Sequence, residues 1–193
     1  IGPFDDKILE IGEVGIPGEH NLQNFLAAST CSHLMGISQN QIVRTLKEFK
    51  GVEHRLEYVR TINEADYIND SKATNIDSVI VAINTYKQPI VLILGGFNKG
   101  ANFRLLLPHI KSSHVRDIVS YGDAGGQINT ALGDAVRSVQ VTDLSSAVKK
   151  AQLMAAPGDI VLLSPGCASY DEFSNFEERG NHFKSIIKSL VAS

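Results

Sequence analysis

The sequence predicts an α/β fold: a Rossmann-like, mostly parallel sheet with helices on both faces, preceded by a short helical tail. Two observations lead there. After Gly51, short apolar runs alternate with stretches of helical periodicity, which is the pattern of βαβ units. Before Gly51, two helical stretches follow one another with no strand between them.

Residues 1–18 hold four glycines and two prolines around a short apolar run and read as strand and loop. From His20 to Met35, Leu22, Phe25, Leu26 and Leu34 keep to a helical face, and Gly36 is a natural stop. Ser38 is placed to cap a second helix carrying Ile42, Val43, Leu46 and Phe49, closed by Gly51. A domain boundary is expected near Gly51 to His54. Beyond it, Leu56–Ile62 and Tyr67–Asn69 read as strands and Ile76–Tyr86 as a helix. Strand Ile90–Leu94, helix Phe103–Ile110, strand Asp117–Tyr121 and helix Gly126–Leu132 follow. Strand Ser138–Val141, helix Leu144–Ala155, strand Ile160–Leu163 and a helix from about Asp171 to Leu190 complete the pattern.

The 193 residues, 43% hydrophobic, suffice for one sizeable core, or for one domain plus a piece of another. A formal net charge of -3 leaves no basic excess to neutralise phosphates, which argues against general binding to nucleic acid or acidic membranes. No apolar run approaches the roughly 20 residues of a membrane span, and no signal peptide is read. Cys31 and Cys167 fall in a helical pattern and a loop, so no disulfide framework is expected and a reducing cytoplasm is. The chain begins at Ile1 without Met and is expected to be a processed or excised piece.

Three polar loops fall at the carboxyl ends of predicted strands, where open α/β sheets bind ligands. Asp70-Ser-Lys-Ala-Thr-Asn75 mixes an acid, a base and hydroxyls before a helix; it reads either as a ligand cluster or as a capped turn with a weak Asp70–Lys72 surface pair. In Gly95 to Asn102, three glycines permit close backbone approach and Lys99 supplies a charge. The alternatives are an anion site and a tight turn with an exposed lysine. Neither G-x-x-x-x-G-K-[ST] nor G-x-G-x-x-G occurs anywhere in the chain. Ser164 to Asn175 offers Ser164 and Ser169 and runs into the last helix, as an anion-ready terminus or a helix capped by Asp171. Cys167 has no histidine near it in sequence, so it is not read as a nucleophile. His54-Arg55 at the boundary could bring a planar guanidinium to a phosphate. The other histidines show no metal-ligand spacing, and no metal site is expected.

Together, "PGEHNLQNFLAA", "FKGVEHRLEYV", "YINDSKATN", "LILGGFNKG" and "LLSPGCASYDEFSNFEERGNHF" resemble the C-terminal part of the Mur ligases, and within them the D-glutamate-adding members. The resemblance runs from about Pro17 to Phe183. It implies the tail of a central ATPase domain over 1–53 and a C-terminal ligase domain over 54–193. It also implies a bacterial, cytoplasmic, monomeric enzyme of peptidoglycan synthesis, using ATP and Mg2+ to add D-glutamate to UDP-N-acetylmuramoyl-L-alanine through an acyl phosphate. Carried over residue by residue, the D-glutamate site is Thr74, Lys99, Ser169, Tyr170 and Phe176. The nucleotide side is Asn21 and Asn24 near adenine, Arg55 at the phosphates, Asp70 at the ribose and Lys72 beside it.

Two departures from the family pattern stand out. Phe97-Asn98 replaces an Asp-containing stretch before Lys99, and the P-loop and magnesium-binding regions are not in this sequence. The chain alone is therefore expected to be inactive. Two other readings are a Rossmann-like ligand-binding module without chemistry and a sister Mur ligase adding a different amino acid.

Overall fold

The computed structural model describes residues 9, 10, 13, 14, 16 and 19–190; the strand and loop expected over residues 1–18 fall largely outside these. The chain divides into two compact units, Ile1–Gly51 and Val52–Ser193. No helix among the described residues is long and apolar enough to cross a membrane.

The first unit holds α1 (Glu19–Leu34) and α2 (Gln39–Glu48). Ser38 caps α2 in a reciprocal box: its hydroxyl accepts the Gln41 N–H, and the Gln41 side chain accepts the Ser38 N–H at 3.3 Å. The rings of Phe25 and Phe49 meet edge to face at 6.1 Å. The expected apolar face of α1 needs correction, because Leu26 and Leu34 are 41% and 77% exposed while Asn21 and Ser29 are buried. The inward stripe runs through residues 21, 25 and 29. At about 100° per residue, Leu34 falls on the opposite side of the helix.

In the second unit six strands form one sheet in the order β1-β2-β6-β3-β4-β5. They are β1 (Glu57–Ile62), β2 (Ala65–Asn69), β3 (Ile90–Gly95), β4 (Val115–Tyr121), β5 (Arg137–Gln140) and β6 (Ile160–Gly166). Only β1 is antiparallel to its neighbour; the other pairs are parallel. Every residue of β3 and β6 is buried, which is why both read as unbroken apolar runs.

The strand period of two sorts the core onto two faces. Ile68, Leu92, Leu94, Ile118 and Leu162 pack against α3 (Ile76–Thr85), α4 (Leu107–Ser112) and α5 (Gly125–Leu132). Val91, Ile93, Val119, Val161 and Leu163 pack against α6 (Leu144–Met154) and α7 (Phe176–Ser189). Right-handed crossovers explain the division. The chain steps one way from β2 through β3 and β4 to β5, then returns to insert β6 between β2 and β3. The loops after β3 and β6 therefore leave neighbouring strands toward opposite faces, at the point where such sheets open a crevice.

Two helices differ from expectation. The stretch from Phe103 is a 3-10 turn, Phe103–Leu106, before α4 begins at Leu107 with Pro108 in its first turn. The last helix starts at Phe176, not near Asp171. Asn175 caps it by accepting the Glu178 N–H at 2.7 Å, while Ser169 O accepts the N–H groups of Glu172 and Phe173 in a preceding turn.

Candidate functional site

The loop after β2 is anchored from below. Asp70 is 4% exposed, with its carboxylate accepting the Leu56 N–H at 3.2 Å and the Ser164 hydroxyl at 2.8 Å. It is not the surface partner of Lys72 that the sequence suggested. Burial pushes the Asp70 carboxyl up to about 7, against the opposing pull of those two bonds and of Arg55. The Lys72 ammonium instead lies 4.6 Å from the centre of the Phe176 ring. Asn75 caps α3 through the Ser78 N–H at 2.9 Å, which leaves Thr74 beside the cap.

The loop after β3 turns on two glycines with φ of 149° and 116° at Gly95 and Gly96. A Cβ at Gly95 would stand 2.2 Å from the Tyr121 carbonyl oxygen, and one at Gly96 would stand 2.4 Å from that of Ala168. These glycines serve protein packing, a correction to their expected role in admitting a ligand. Asn98 organises the rest. Its side-chain oxygen accepts the N–H groups of Gly100 and Ala101 at 2.9 and 2.7 Å, and its nitrogen donates to Gln127 at 2.6 Å. It thus closes the turn that holds Lys99, which is exposed and has no partner among the described residues.

The loop after β6 is stitched to the loop after β3 by an antiparallel bridge between Phe97 and Ala168, with N–H···O distances of 2.9 and 3.1 Å. The Phe97 and Tyr170 rings lie 6.5 Å apart beside that bridge, and Tyr170 is exposed. Ser169 is buried, and its hydroxyl finds no partner among the described residues. Asp171 turns away to accept the Asp123 N–H at 3.3 Å. Burial pushes the Cys167 thiol up to about 12, so it stays protonated and unreactive at neutral pH.

Several site residues escaped the sequence reading. Arg179, in the first turn of α7, is 0% exposed and donates to Ser71, Cys167 and Ala168. The sequence reading assigned it no role; the available signal beside it was Gly180, a helical glycine that marks a close approach. A Cβ there would stand 2.2 Å from His54 Nδ1. His54 is buried, and its Nδ1 lies 3.0 Å from the Asn69 amide nitrogen, which also donates to Glu57 at 2.9 Å. Glu53, His54 and Glu57 have metal-ligand types within mutual reach. The Lys184 ammonium already bridges the two carboxylates, at 3.1 Å from Glu57, so the group does not suit a divalent cation.

Because β1 is antiparallel to β2, its start lies at the carboxyl end of β2, and the Lys72 N–H reaches the His54 carbonyl at 3.0 Å. Arg55, exposed, therefore joins Asp70, Lys72, Thr74, Lys99, Ser169, Tyr170 and Phe176 at one edge of the sheet. Asn21, buried, and Asn24, exposed, belong to the first unit, three residues apart on α1. Two open clefts lie nearby, one of about 540 Å³ between the Phe103 turn and α5, beside Arg104 and Gln127, and one of about 630 Å³ past the ends of β4 and β5, beside Thr142 and Glu172. Neither is lined by a residue assigned to D-glutamate or nucleotide, although the first takes in Asn102 and the second Asp171 from the polar loops.

A family model described as "Mur ligase, glutamate ligase domain" matches residues 54–167. UDP-N-acetylmuramoylalanine–D-glutamate ligase of Bacillus mycoides is 43% identical over 188 residues, covering 96% of this chain and 41% of the relative. The same-named protein of Pelotomaculum thermopropionicum is 47% identical over 180 residues, covering 92% and 39%. The chain thus spans about two fifths of the length of these curated relatives. Among solved structures, UDP-N-acetylmuramate-alanine ligase of Thermotoga maritima shares the fold, with a TM-score of 0.66 at 18% identity over 90% of this chain and 39% of that one. So does a bifunctional folylpolyglutamate synthase/dihydrofolate synthase of Yersinia pestis complexed with AMPPNP and Mn, with a TM-score of 0.56 at 17% identity over 78% and 35%.

Proposed function

The chain belongs to the Mur ligase family through its glutamate ligase domain, and from that premise we propose that it is the amino-acid-binding part of a ligase joining D-glutamate to UDP-N-acetylmuramoyl-L-alanine. The observation that supports this reading is a contrast in hydrogen bonding. The Thr74 and Ser169 hydroxyls and the Lys99 ammonium have no partners among the described residues, while Asn98, Asp70, Ser71 and Arg179 around them are engaged within the protein. A rigid scaffold with three unspent polar groups suits a small ligand carrying two carboxylates.

In this reading Lys99 pairs with one carboxylate and the two hydroxyls donate to the ligand, while Tyr170 and Phe176 shape the pocket. ATP phosphorylates the carboxylate of the muramoyl substrate, and the D-glutamate amine attacks the acyl phosphate carbon, expels phosphate and loses a proton. The chain's own contribution is to hold the amine donor in line and neutralise its charge. Arg55 is an exposed cation that fits the nucleotide phosphates, and each Asp70 oxygen keeps a lone pair for a ribose hydroxyl, with the exposed Lys72 beside it. Asn21 and Asn24 are assigned to adenine. The AMPPNP and Mn of the Yersinia pestis structure support use of ATP and a divalent cation. Mg2+ is assigned to parts of the full-length enzyme, since the Glu53 and Glu57 carboxylates are already taken up by the Lys184 ammonium. Cytoplasmic action and a monomeric state complete the proposal.

The test is phosphate release by the full-length ligase carrying this segment, with UDP-N-acetylmuramoyl-L-alanine and either D-glutamate, L-lysine or diaminopimelate. Turnover with D-glutamate alone is expected. Preference for another amino acid would make it a sister ligase, and no turnover with any would leave a binding module.

A further inference from the structure

We propose that Arg179 is the positioning residue of the amino-acid site, a buried guanidinium that fixes the loops after β2, β3 and β6 in their ligand-binding arrangement. This rests on the D-glutamate reading above.

A guanidinium sealed from water with no carboxylate partner among the described residues is costly unless its donors are used. Here they are. Nε donates to the Ser71 hydroxyl at 2.9 Å and Nη2 to the Ser71 carbonyl at 2.8 Å. Nη1 donates to the carbonyl oxygens of Cys167 and Ala168, each at 3.1 Å. Ser71 passes the restraint on, because its hydroxyl donates to the Phe176 carbonyl at 2.8 Å. The loop after β3 is held through a shared acceptor, since Ala168 O also accepts the Phe97 N–H at 2.9 Å, and a Cβ added at Gly96 would crowd Nη1 at 3.1 Å.

One side chain therefore grips backbone three residues before Thr74 and one before Ser169, and the Ala168 carbonyl it shares ties in Phe97, two residues before Lys99. None of the four bonds involves Thr74, Lys99 or Ser169 themselves, so the effect is on where the binding groups stand. Lysine cannot substitute, since a single nitrogen cannot span two loops as a planar fork does. Asp70 and Lys72, on the nucleotide side, are anchored separately, Asp70 by Leu56 and Ser164 and Lys72 by its N–H to the His54 carbonyl. Loss of the fork should therefore weaken amino-acid binding without an equal effect on ATP.

The experiment compares KM for D-glutamate and for ATP in the full-length ligase and in its Arg179→Lys and Ser71→Ala variants, with thermal melts alongside. Arg179→Lys is expected to raise the D-glutamate KM at least about tenfold while the ATP KM stays within about threefold. Ser71→Ala, which removes one of the four acceptors, is expected to move the same constant in the same direction by less. Equal rises in both constants, or an unchanged D-glutamate KM, overturn the positioning role. Should Arg179→Lys fail to fold, the Ser71→Ala constants decide alone by the same criterion. A wild-type enzyme with no D-glutamate-dependent turnover overturns the functional reading, and this proposal with it.

Discussion

The Asp70 carboxylate accepts the Ser164 hydroxyl at 2.8 Å across 94 residues of chain, joining the end of β2 to the end of β6 beneath the site. Both residues are buried, so the bond holds a charge in a place that penalises charge.

That penalty has a pH signature. Burial raises the Asp70 carboxyl from 3.8 to about 7 in the folded state. Below 3.8 both states are protonated and the stability is complete. As pH rises toward 7 the unfolded chain ionises first, so stability is lost through that window. Asp70→Asn keeps an acceptor for the Leu56 N–H and a donor for Ser164 without the charge. Chemical denaturation should show the variant gaining on wild type between pH 4 and 8, by an amount on the order of a few kcal/mol. Parallel pH curves for the two would remove the buried charge from the account.

Lys99→Ala should raise the D-glutamate KM of the full-length ligase by an order of magnitude or more, because a carboxylate would lose its ion pair. Its melting temperature should not move, since the ammonium has no partner among the described residues. An unchanged KM takes Lys99 out of the site.

Gly96→Ala should destabilise the fold by about 2–4 kcal/mol, since φ is 116° and the new Cβ would meet the Ala168 carbonyl at 2.4 Å. Gly100→Ala is the control: its φ is 96° but nothing lies within 4 Å of the added carbon, so only backbone strain of about 1 kcal/mol applies. Equal losses in urea titrations would mean that close packing is not what Gly96 provides.

How much of this was legible in the sequence depends on the range of each interaction. Ile90–Leu94 and Ile160–Leu163 announced buried strands because a strand covered on both faces must be apolar throughout. Ser38 and Asn75 announced caps because a cap is a bond to the next turn. Asp171 looked equally suited to capping, but its carboxylate goes to Asp123, 48 residues away, and Asn175 caps instead. Arg179 is the extreme case. Its partners lie 108, 12 and 11 residues off, so neighbouring glutamates said nothing about where it points.

The far end of the sheet offers a test independent of any ligand. Asp117, 1% exposed, is held by Arg116 at 2.9 Å and by Arg137. Burial alone would raise its carboxyl, but the hydrogen bonds and charges of Arg137 and Arg116 outweigh that and hold it below the usual range. A lowered folded pKa contributes stability above about 4, the unfolded value, and loses it as pH falls through the folded one. Asp117→Asn should therefore cost about 1–3 kcal/mol at pH 7, by taking the ion pair from Arg137 and one of two from Arg116, which keeps Asp159 at 2.9 Å. The gap between variant and wild type in denaturant titrations should narrow below pH 4, as the aspartate itself becomes neutral. A gap that stays constant to pH 2 would assign the loss to packing, with no part for the ion pairs.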